Sequence, residues 1–584
     1  MVNQFSWKVG GQQGEGIEST GEIFASALNR SGYYLYSYRH FSSRIKGGHT
    51  NNKIRVSTTQ VRSMSDDLDL LVAFDQETID VNVHELNEGG IVLADEKVKP
   101  HVPDDSGAQL YSIPFTKIAT ELGTSLMKNM VALGASAAAL GLPPDFYDEI
   151  VAEIFGRKGQ AVVEKNREAI RRGAEHFLKL GGNPFLELAK ADGKKRMYMI
   201  GNDAIGLGAL TAGVRFMAAY PITPASDIME YLIKKLPEFG GTVIQTEDEI
   251  AACMMCIGSN YAGTRAFTAS AGPGLSLMME SIGLAGMTET PLVVVDTQRG
   301  GPSTGLPTKQ EHSDLLAMIH GTHGEIPKIV LAPSTVEEAF YDIAEAFNLA
   351  DRYQCPVIFL SDLQLSLGKQ TVEPLDLKRI KVDRGRLLKD GELSEQEDKQ
   401  YFKRYETTED GISPRVLPGT KNGIFHATGV EHDETGKPSE NAENRIKQMN
   451  KRLRKLQNLS YPEAIYRNAK HQEADLLVVG ISSSRGAIEE AIPLLEDDGW
   501  KVNHAHVRLV HPFPADEMKA LMDTAKRIAV VENNATGQLA SIIKTNVGQA
   551  EKIENVLKYD GTPFLPKELY GQFKTVLDKK AVTQ

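Results

Sequence analysis

Gln245-Thr246-Glu247-Asp248-Glu249 sets three acids in front of a run of small residues with helical character, IAACMMCIGSNYAG. Acids in a first turn complement the helix dipole, and that alone accounts for them structurally. The chemical alternative gives Glu249 a cleft beside the small-residue helix. There a poorly solvated carboxylate can share a proton with a heterocyclic nitrogen. Upstream, Tyr220-Pro221-Ile222-Thr223-Pro224-Ala225-Ser226 follows another small-residue helix. Two prolines restrict that backbone, so the Thr223 hydroxyl is held rigidly, as an anchor for a small carboxylate requires. The structural alternative is that Thr223, or equally Ser226, caps the helix DIMEYLIKKL.

Two further motifs follow apolar runs. Thr268-Ala269-Ser270-Ala271-Gly272-Pro273-Gly274 is one, and Asp296 to Gln310 (DTQRGGPSTGLPTKQ) is the other. Both can gather at the carboxyl edge of one sheet, where α/β folds bind ligands. Arg299 and Lys309 are the cations there for a substrate carboxylate, on a Gly/Pro-rich loop of the kind that forms lids. Near the N-terminus, GGQQGEG carries Gly11 and Gly14, and FSSRIKGGHT carries Ser43, Arg44 and Lys46. Backbone N–H groups and cations of this sort suit phosphate, while tight or surface turns explain them equally well. The glycine spacing matches neither GxGxxG nor a P-loop. Cys253 and Cys256 form a CxxC inside an apolar helical run, with only Cys355 elsewhere. They read as small buried hydrophobes, not as a redox or metal pair.

The elements that must position these residues fall into zones. Residues 1–190 open with the strand-like FSWKV and later show LDLLVAFD and GGIVLADE between helical stretches. Residues 191–367 begin again with KRMYMIG and carry TRAFTAS, PLVVVDT, KIVLAP and PVIFLSD. Residues 368–474 are polar, and residues 475–584 show DLLVVGISSS, WKVNHAHVRL and RIAVVEN. Strand runs alternating with helices predict an α/β protein of three mostly parallel units joined by a polar insert. In the insert, Arg445, Lys447, Lys451, Arg452, Arg454 and Lys455 lie opposite Ile446, Met449, Leu453 and Leu456 at helical spacing. That pattern reads as a helix with a solvated basic face, or as a docking surface for an acidic partner.

The 584 residues suggest about four domains at roughly 150 residues each. Three cysteines exclude a disulfide scaffold and a four-thiolate cluster held by this chain alone. A net charge of −12 disfavours nucleic acid as a general partner. The most apolar tract, Met130 to Leu142, is too short to span a bilayer, and no secretory leader is visible, so a cytoplasmic protein without a membrane partner is expected.

Together these strings resemble the 2-oxoacid:ferredoxin oxidoreductases, in particular the α subunit of the two-subunit type, with γ and α domains fused. GGQQGEG and FSSRIKGGHT resemble the γ domain. YPITPAS, TEDEIAA, TASAGPGL and STGLPTK resemble the thiamine pyrimidine-binding domain. HPFP (511–514) and VENNATGQL (531–539) mark a zone resembling the transketolase C-terminal-like domain. The resemblance implies CoA-dependent oxidative decarboxylation of a 2-oxoacid, 2-oxoglutarate before pyruvate, with electrons passed to ferredoxin. It implies thiamine diphosphate shared between subunits. Glu249 would hydrogen-bond N1′ of the aminopyrimidine, and Tyr220, Pro221, Ile222, Thr223 and Ser270 would line it. Thr223, Arg299 and Lys309 would meet the substrate, Lys309 standing near the place where family members carry an Arg. Gly11, Gly14, Ser43, Arg44 and Lys46 would contact coenzyme A. The usual thiamine diphosphate–Mg²⁺ signature, GDG followed by Asn, is missing from this chain. Mg²⁺ and the family's [4Fe–4S] cluster are therefore expected on a separate β subunit of an α2β2 assembly, with no metal on this chain. Two competing readings are a nucleotide-dependent dehydrogenase, whose GxGxxG spacing is wrong here, and a non-catalytic partner-binding subunit.

Overall fold

A computed structural model describes residues 2–41, 48–143, 145–389, 391–393 and 401–579. They divide into two compact units. The first comprises Met1–Met199 with Leu367–Pro374 and Leu565–Glu568, and the second comprises the rest. Among the described residues the larger sheets number three.

The first unit is built on an eight-stranded sheet in the order Gln109–Ile113, Leu86–Asp95, Leu68–Ala73, Gln4–Gln12, His49–Ser57, Tyr34–His40, Lys369–Val372, Met197–Ile200. From Gln4–Gln12 to Gln109–Ile113 the neighbours are parallel; from Gln4–Gln12 through His49–Ser57 and Tyr34–His40 to Lys369–Val372 they are antiparallel. This sheet is therefore mixed, where a mostly parallel one was expected. The antiparallel half escapes sequence reading because HTNNKIRVS buries Asn52, Lys53 and Arg55 instead of alternating apolar residues. Lys53 meets Glu85 at 2.9 Å, and Glu85 also takes Lys8. Burial pulls the Lys8 ammonium down to about 8 against that attraction. The strand Met197–Ile200, read from sequence as the opening of the second unit, lies instead at the edge of this sheet. Helices Lys128–Ala139 and Gln160–Lys179 cover one face. They cross so closely that a Cβ on Gly134 would stand 1.8 Å from the Ile170 carbonyl oxygen.

The second unit holds a seven-stranded sheet in the order Leu509–His511, Ile329–Leu331, Pro356–Asp362, Leu292–Gln298, Ala266–Ser270, Phe216–Ala219, Thr242–Gln245. Every pair is parallel except the one made by Leu509–His511. A five-stranded sheet follows, in the order Ile465–Asn468, Val502–Val507, Ala474–Ile481, Ala525–Glu532, Ile553–Leu557, with its first strand antiparallel. Parallel strands are covered on both faces, which is why VVVD, VIFL and LLVVGI are continuous apolar runs. One core joins the two sheets, containing Val294, Ile358, Leu477 and Val530.

The helix Ala442–Arg454 inverts its expected orientation. Lys451 and Lys455 are completely buried against Glu289, at 2.7 and 2.5 Å, and buried Arg452 meets Glu431 at 2.7 Å. Ile446 is 63% exposed and Leu453 43%. The cause is Glu289, a fully buried carboxylate held well below its usual range by the two lysines and Arg404 despite its desolvation. Cations are drawn inward to a charge that lies far away in sequence. The helix presents neither a wholly solvated basic face nor a free basic docking surface.

Candidate functional site

The three acids at 247–249 have three different fates. Glu247 is exposed. Asp248 is the N-cap of helix Glu249–Tyr261 and accepts from the Ala251 N–H at 2.8 Å. Glu249, the first helical residue, turns inward and is buried. It meets the motif TASAGPG from the neighbouring strand and helix. A Cβ on Gly274 would lie 2.8 Å from Glu249 Oε1 and 2.0 Å from Ser270 Oγ. Only glycine leaves room there for the carboxylate and the hydroxyl. Ser270, at the end of strand Ala266–Ser270, is buried with its Oγ unpartnered, as is Thr268 Oγ1 one strand-repeat earlier.

The Tyr220–Ser226 turn lies at the carboxyl end of strand Phe216–Ala219. Tyr220 is 41% exposed, Pro221 and Ile222 are half-buried, and Thr223 is exposed. Helix Ser226–Lys235 starts from Ala225 with no side-chain cap, so neither Thr223 nor Ser226 caps it. The turn is held through its backbone. Asn202 Nδ2 donates to the Pro224 carbonyl at 2.8 Å, and Arg299 Nη1 donates to the Thr223 carbonyl. Arg299 is itself buried, with Nε unpartnered, and burial lowers its pKa against the pull of Asp314.

The loop after Arg299 folds back on itself through a bridge between Gly300 and Leu306. Lys309 leaves it in another direction. Its stem packs on Gly561, where a Cβ would meet Lys309 Cβ at 2.9 Å, and burial lowers its pKa against the attraction of Asp560. The loop ends in a buried polar anchor. His312 Nε2 is 2.8 Å from Asp362 Oδ2, and Ser483 N donates to the same oxygen at 3.0 Å.

Sequence reasoning missed Asp296 and Asp314. Asp296 is fully buried within strand Leu292–Gln298, directly beside Ser270 in register. No N–H or hydroxyl donor among the described residues reaches either of its oxygens or Asp314 Oδ2. Desolvation raises both carboxyls; repulsion from Asp314 adds to it at Asp296, and repulsion from Glu311 adds to it at Asp314, which is pushed up to about 6. The available signal was an apolar run ending in an acid, VVVD, which a strand needs for no structural reason. Buried polar atoms are nearly always partnered. Thr268 Oγ1, Ser270 Oγ and Arg299 Nε break that rule together, towards the carboxyl edge of one mostly parallel sheet. Such a cluster is completed by something bound there.

In the first unit, Gly11 is a strand residue opposite Thr50 and not part of an open turn. Gly14, at φ 96°, lies in the turn itself. With the uncapped N-terminus of helix Ile17–Arg30 it borders a cavity of about 960 Å³ that Asn129, Lys158 and Lys165 also line. Ser43, Arg44 and Lys46 lie outside the described residues. All three cysteines are free and buried, and burial pushes Cys253 and Cys355 up to about 12. Among the described residues no group of His, Cys, Asp or Glu is arranged to hold a metal ion, and no helix is long and apolar enough to cross a membrane.

Comparison with known proteins agrees with this geometry. Residues 207–451 match the family described as "Pyruvate flavodoxin/ferredoxin oxidoreductase, thiamine diP-bdg". Residues 6–176 match "Pyruvate ferredoxin/flavodoxin oxidoreductase", and residues 474–569 match "Pyruvate:ferredoxin oxidoreductase core domain II". The chain is 34% identical to the 2-oxoacid:ferredoxin oxidoreductase subunit alpha of a Sulfolobus species, over 97% of this chain and 96% of that one. It is 30% identical to the 2-oxoglutarate oxidoreductase subunit KorA of Mycobacterium tuberculosis, over 96% and 90%. The solved 2-oxoglutarate:ferredoxin oxidoreductase from Magnetococcus marinus, with 2-oxoglutarate, coenzyme A and succinyl-CoA bound, superposes with a TM-score of 0.91 at 35% identity, over 99% of this chain and 100% of that one. The chain belongs to the family of 2-oxoacid:ferredoxin oxidoreductase α subunits.

Proposed function

We propose that this chain is the catalytic α subunit of an enzyme that oxidatively decarboxylates a 2-oxoacid, 2-oxoglutarate before pyruvate, to an acyl-CoA, with electrons passed to ferredoxin. The observation that carries the reading is the convergence of Glu249, Ser270 and Gly274 beneath a sheet edge rich in unpartnered polar atoms. These residues fit the aminopyrimidine end of thiamine diphosphate. A carboxylate can hydrogen-bond a ring nitrogen, an orphan hydroxyl can meet the ring's edge, and the missing Cβ of Gly274 lets both side chains take up those places. When bound, that cofactor supplies the electron sink for decarboxylation. Glu249 holds the ring and exchanges a proton with N1′. Arg299, charged but largely desolvated, offers its guanidinium to a substrate carboxylate while keeping the Thr223 turn in place. Tyr220, Pro221 and Ile222 form the rim from which the Thr223 hydroxyl faces the substrate.

A β subunit would complete the site with the diphosphate, the Mg²⁺ and the [4Fe–4S] cluster, in a cytoplasmic α2β2 complex. Coenzyme A would enter along the Gly11–Gly14 turn and the 43–46 loop. The relatives named for 2-oxoglutarate and the Magnetococcus structure support this substrate and coenzyme A. Lys309 is the weakest member of the substrate set, because its stem is committed to Gly561.

The test is reconstitution. The isolated chain is expected to be inactive and to gain CoA-dependent viologen reduction with 2-oxoglutarate when the β subunit is added. Turnover by the purified chain alone would overturn the shared site. Glu249→Gln is expected to abolish turnover without preventing assembly, and near-normal turnover would remove Glu249 from the mechanism.

A further inference from the structure

Behind Glu249 and Ser270 lies a pair of acids that the mechanism above does not use. Asp296 sits on strand Leu292–Gln298, paired in register with Ser270, so the two side chains share a face of the sheet. Asp314 comes from the end of the Arg299 loop. Its N–H donates to Gln298 Oε1 at 3.2 Å, and its carboxyl covers Gly272, where a Cβ would lie 2.8 Å from Asp314 Oδ2. The two carboxyls are within hydrogen-bonding reach of each other. No N–H or hydroxyl donor among the described residues serves either oxygen of Asp296. Two ionised carboxylates offer only acceptors, so a contact between them in a buried place requires a proton on one. The charged groups facing the pair are Arg299 and Glu311 on its own loop, and Glu249 across Ser270 and Gly274. His312 also stands on that loop, with its Nε2 engaged by Asp362.

We propose that Asp296 and Asp314 form a carboxyl–carboxylate pair that shares one proton and acts as a positioning device, setting Arg299 against the Thr223 turn and Ser270 beside Glu249. With one proton the pair carries a single negative charge. That charge partly balances Arg299 while leaving its guanidinium on the Thr223 carbonyl. Loss of the shared proton would place a second negative charge in the same desolvated space. Asp314 would then compete with the Thr223 carbonyl for Arg299, and Asp296 would lose the hydrogen bond that fixes it beside Ser270. Both consequences fall on groups assigned to substrate and cofactor, although neither acid touches them.

The experiment has two arms. The first is infrared spectroscopy of the full-length chain. A protonated-carboxyl band is expected at neutral pH, lost in Asp296→Asn and in Asp314→Asn and shifted by deuterium exchange. A wild-type spectrum without a band assignable to this pair would overturn the proposal. This arm needs no partner and no assumption about the reaction. The second rests on the function proposed above and uses the reconstituted complex. Wild-type kcat/KM for the 2-oxoacid is expected to fall on the alkaline side as the shared proton is lost. In Asp296→Asn, whose amide donates permanently, the alkaline fall is expected to move to higher pH, whatever the rate at neutrality. An unchanged alkaline limb in that variant would overturn the positioning role. Asp296→Ala is expected to raise KM about tenfold or more, the worth of a lost charge-assisted hydrogen bond. If Asp296→Ala does not fold, the asparagine variants and the infrared band still decide. A band with no effect on the pH profile would retain the shared proton and reject its role in positioning.

Discussion

Arg299 Nη1 donates to the backbone carbonyl of Thr223 at 2.5 Å, so a guanidinium from one loop holds a turn from another. The bond joins loops that follow the two strands flanking Ala266–Ser270 in the sheet, and it leaves Nε of the same group without a partner. One buried cation thus steadies the turn and retains a donor for a ligand. Arg299→Lys keeps the charge but loses the planar fork. In the reconstituted complex its kcat/KM for 2-oxoglutarate is expected to fall about tenfold to a hundredfold, the worth of one or two charge-assisted hydrogen bonds. Steady-state kinetics with the oxoacid varied will check this.

Gly274 is the point at which a single methyl should separate binding from folding. Its Cβ would press on Ser270 Oγ and Glu249 Oε1. Gly274→Ala is expected to weaken thiamine diphosphate binding by about tenfold or more, on the usual cost of overpacking. Adding Ser270→Ala removes the nearer collision, at 2.0 Å, and should recover part of the affinity. Equilibrium titration of the cofactor into the complex measures both.

Glu289 is a fully buried carboxylate in the second unit, held by two buried lysines. Glu289→Gln leaves Lys451 and Lys455 buried without a counter-charge and is expected to destabilise the chain by about 3–5 kcal/mol in denaturant titration. The pH dependence has a definite sign. Because the folded-state pKa of Glu289 is lowered, its stabilisation is complete above the ordinary carboxylate range and is lost progressively as pH falls below that range toward the lowered folded-state value. The variant should lose less stability than the wild type between neutrality and acid, whereas parallel curves would exclude Glu289 as the source.

The three thiols should be silent in the folded protein. All are buried, and burial raises Cys253 and Cys355 to about 12 and Cys256 as well. A thiolate-specific reagent at mildly alkaline pH is expected to modify none of them until denaturant is added, and then all three. Rapid labelling of Cys253 or Cys256 in the native chain would reopen a redox reading of the CxxC.

Much of the second unit was legible in advance. VVVDT, VIFLSD and LLVVGISSS are continuous apolar runs because parallel strands are buried on both faces. TEDE marked Glu249 as the carboxylate that could turn inward, and it is buried; that Asp248 caps the helix while Glu247 stays exposed came only from the structure. The strand HTNNKIRVS was not legible, because its buried side chains are polar and find their partners on other strands and turns.

The sequence by itself determined the α/β class, the family resemblance, the inertness of the cysteines and the short strings in which Glu249, Thr223, Ser270 and Arg299 stand. Each of these depends on residue type and local spacing, which the chain carries without folding. Only the tertiary structure decided that Gly274 must lack a side chain, that Asp296 and Asp314 face one another, and that Lys451 and Lys455 turn inward while Ile446 stays in water. These outcomes depend on charges and van der Waals surfaces brought together from distant parts of the chain. In a low-dielectric interior, the need to pair one buried carboxylate such as Glu289 outweighs the apolar pattern of a whole helix face.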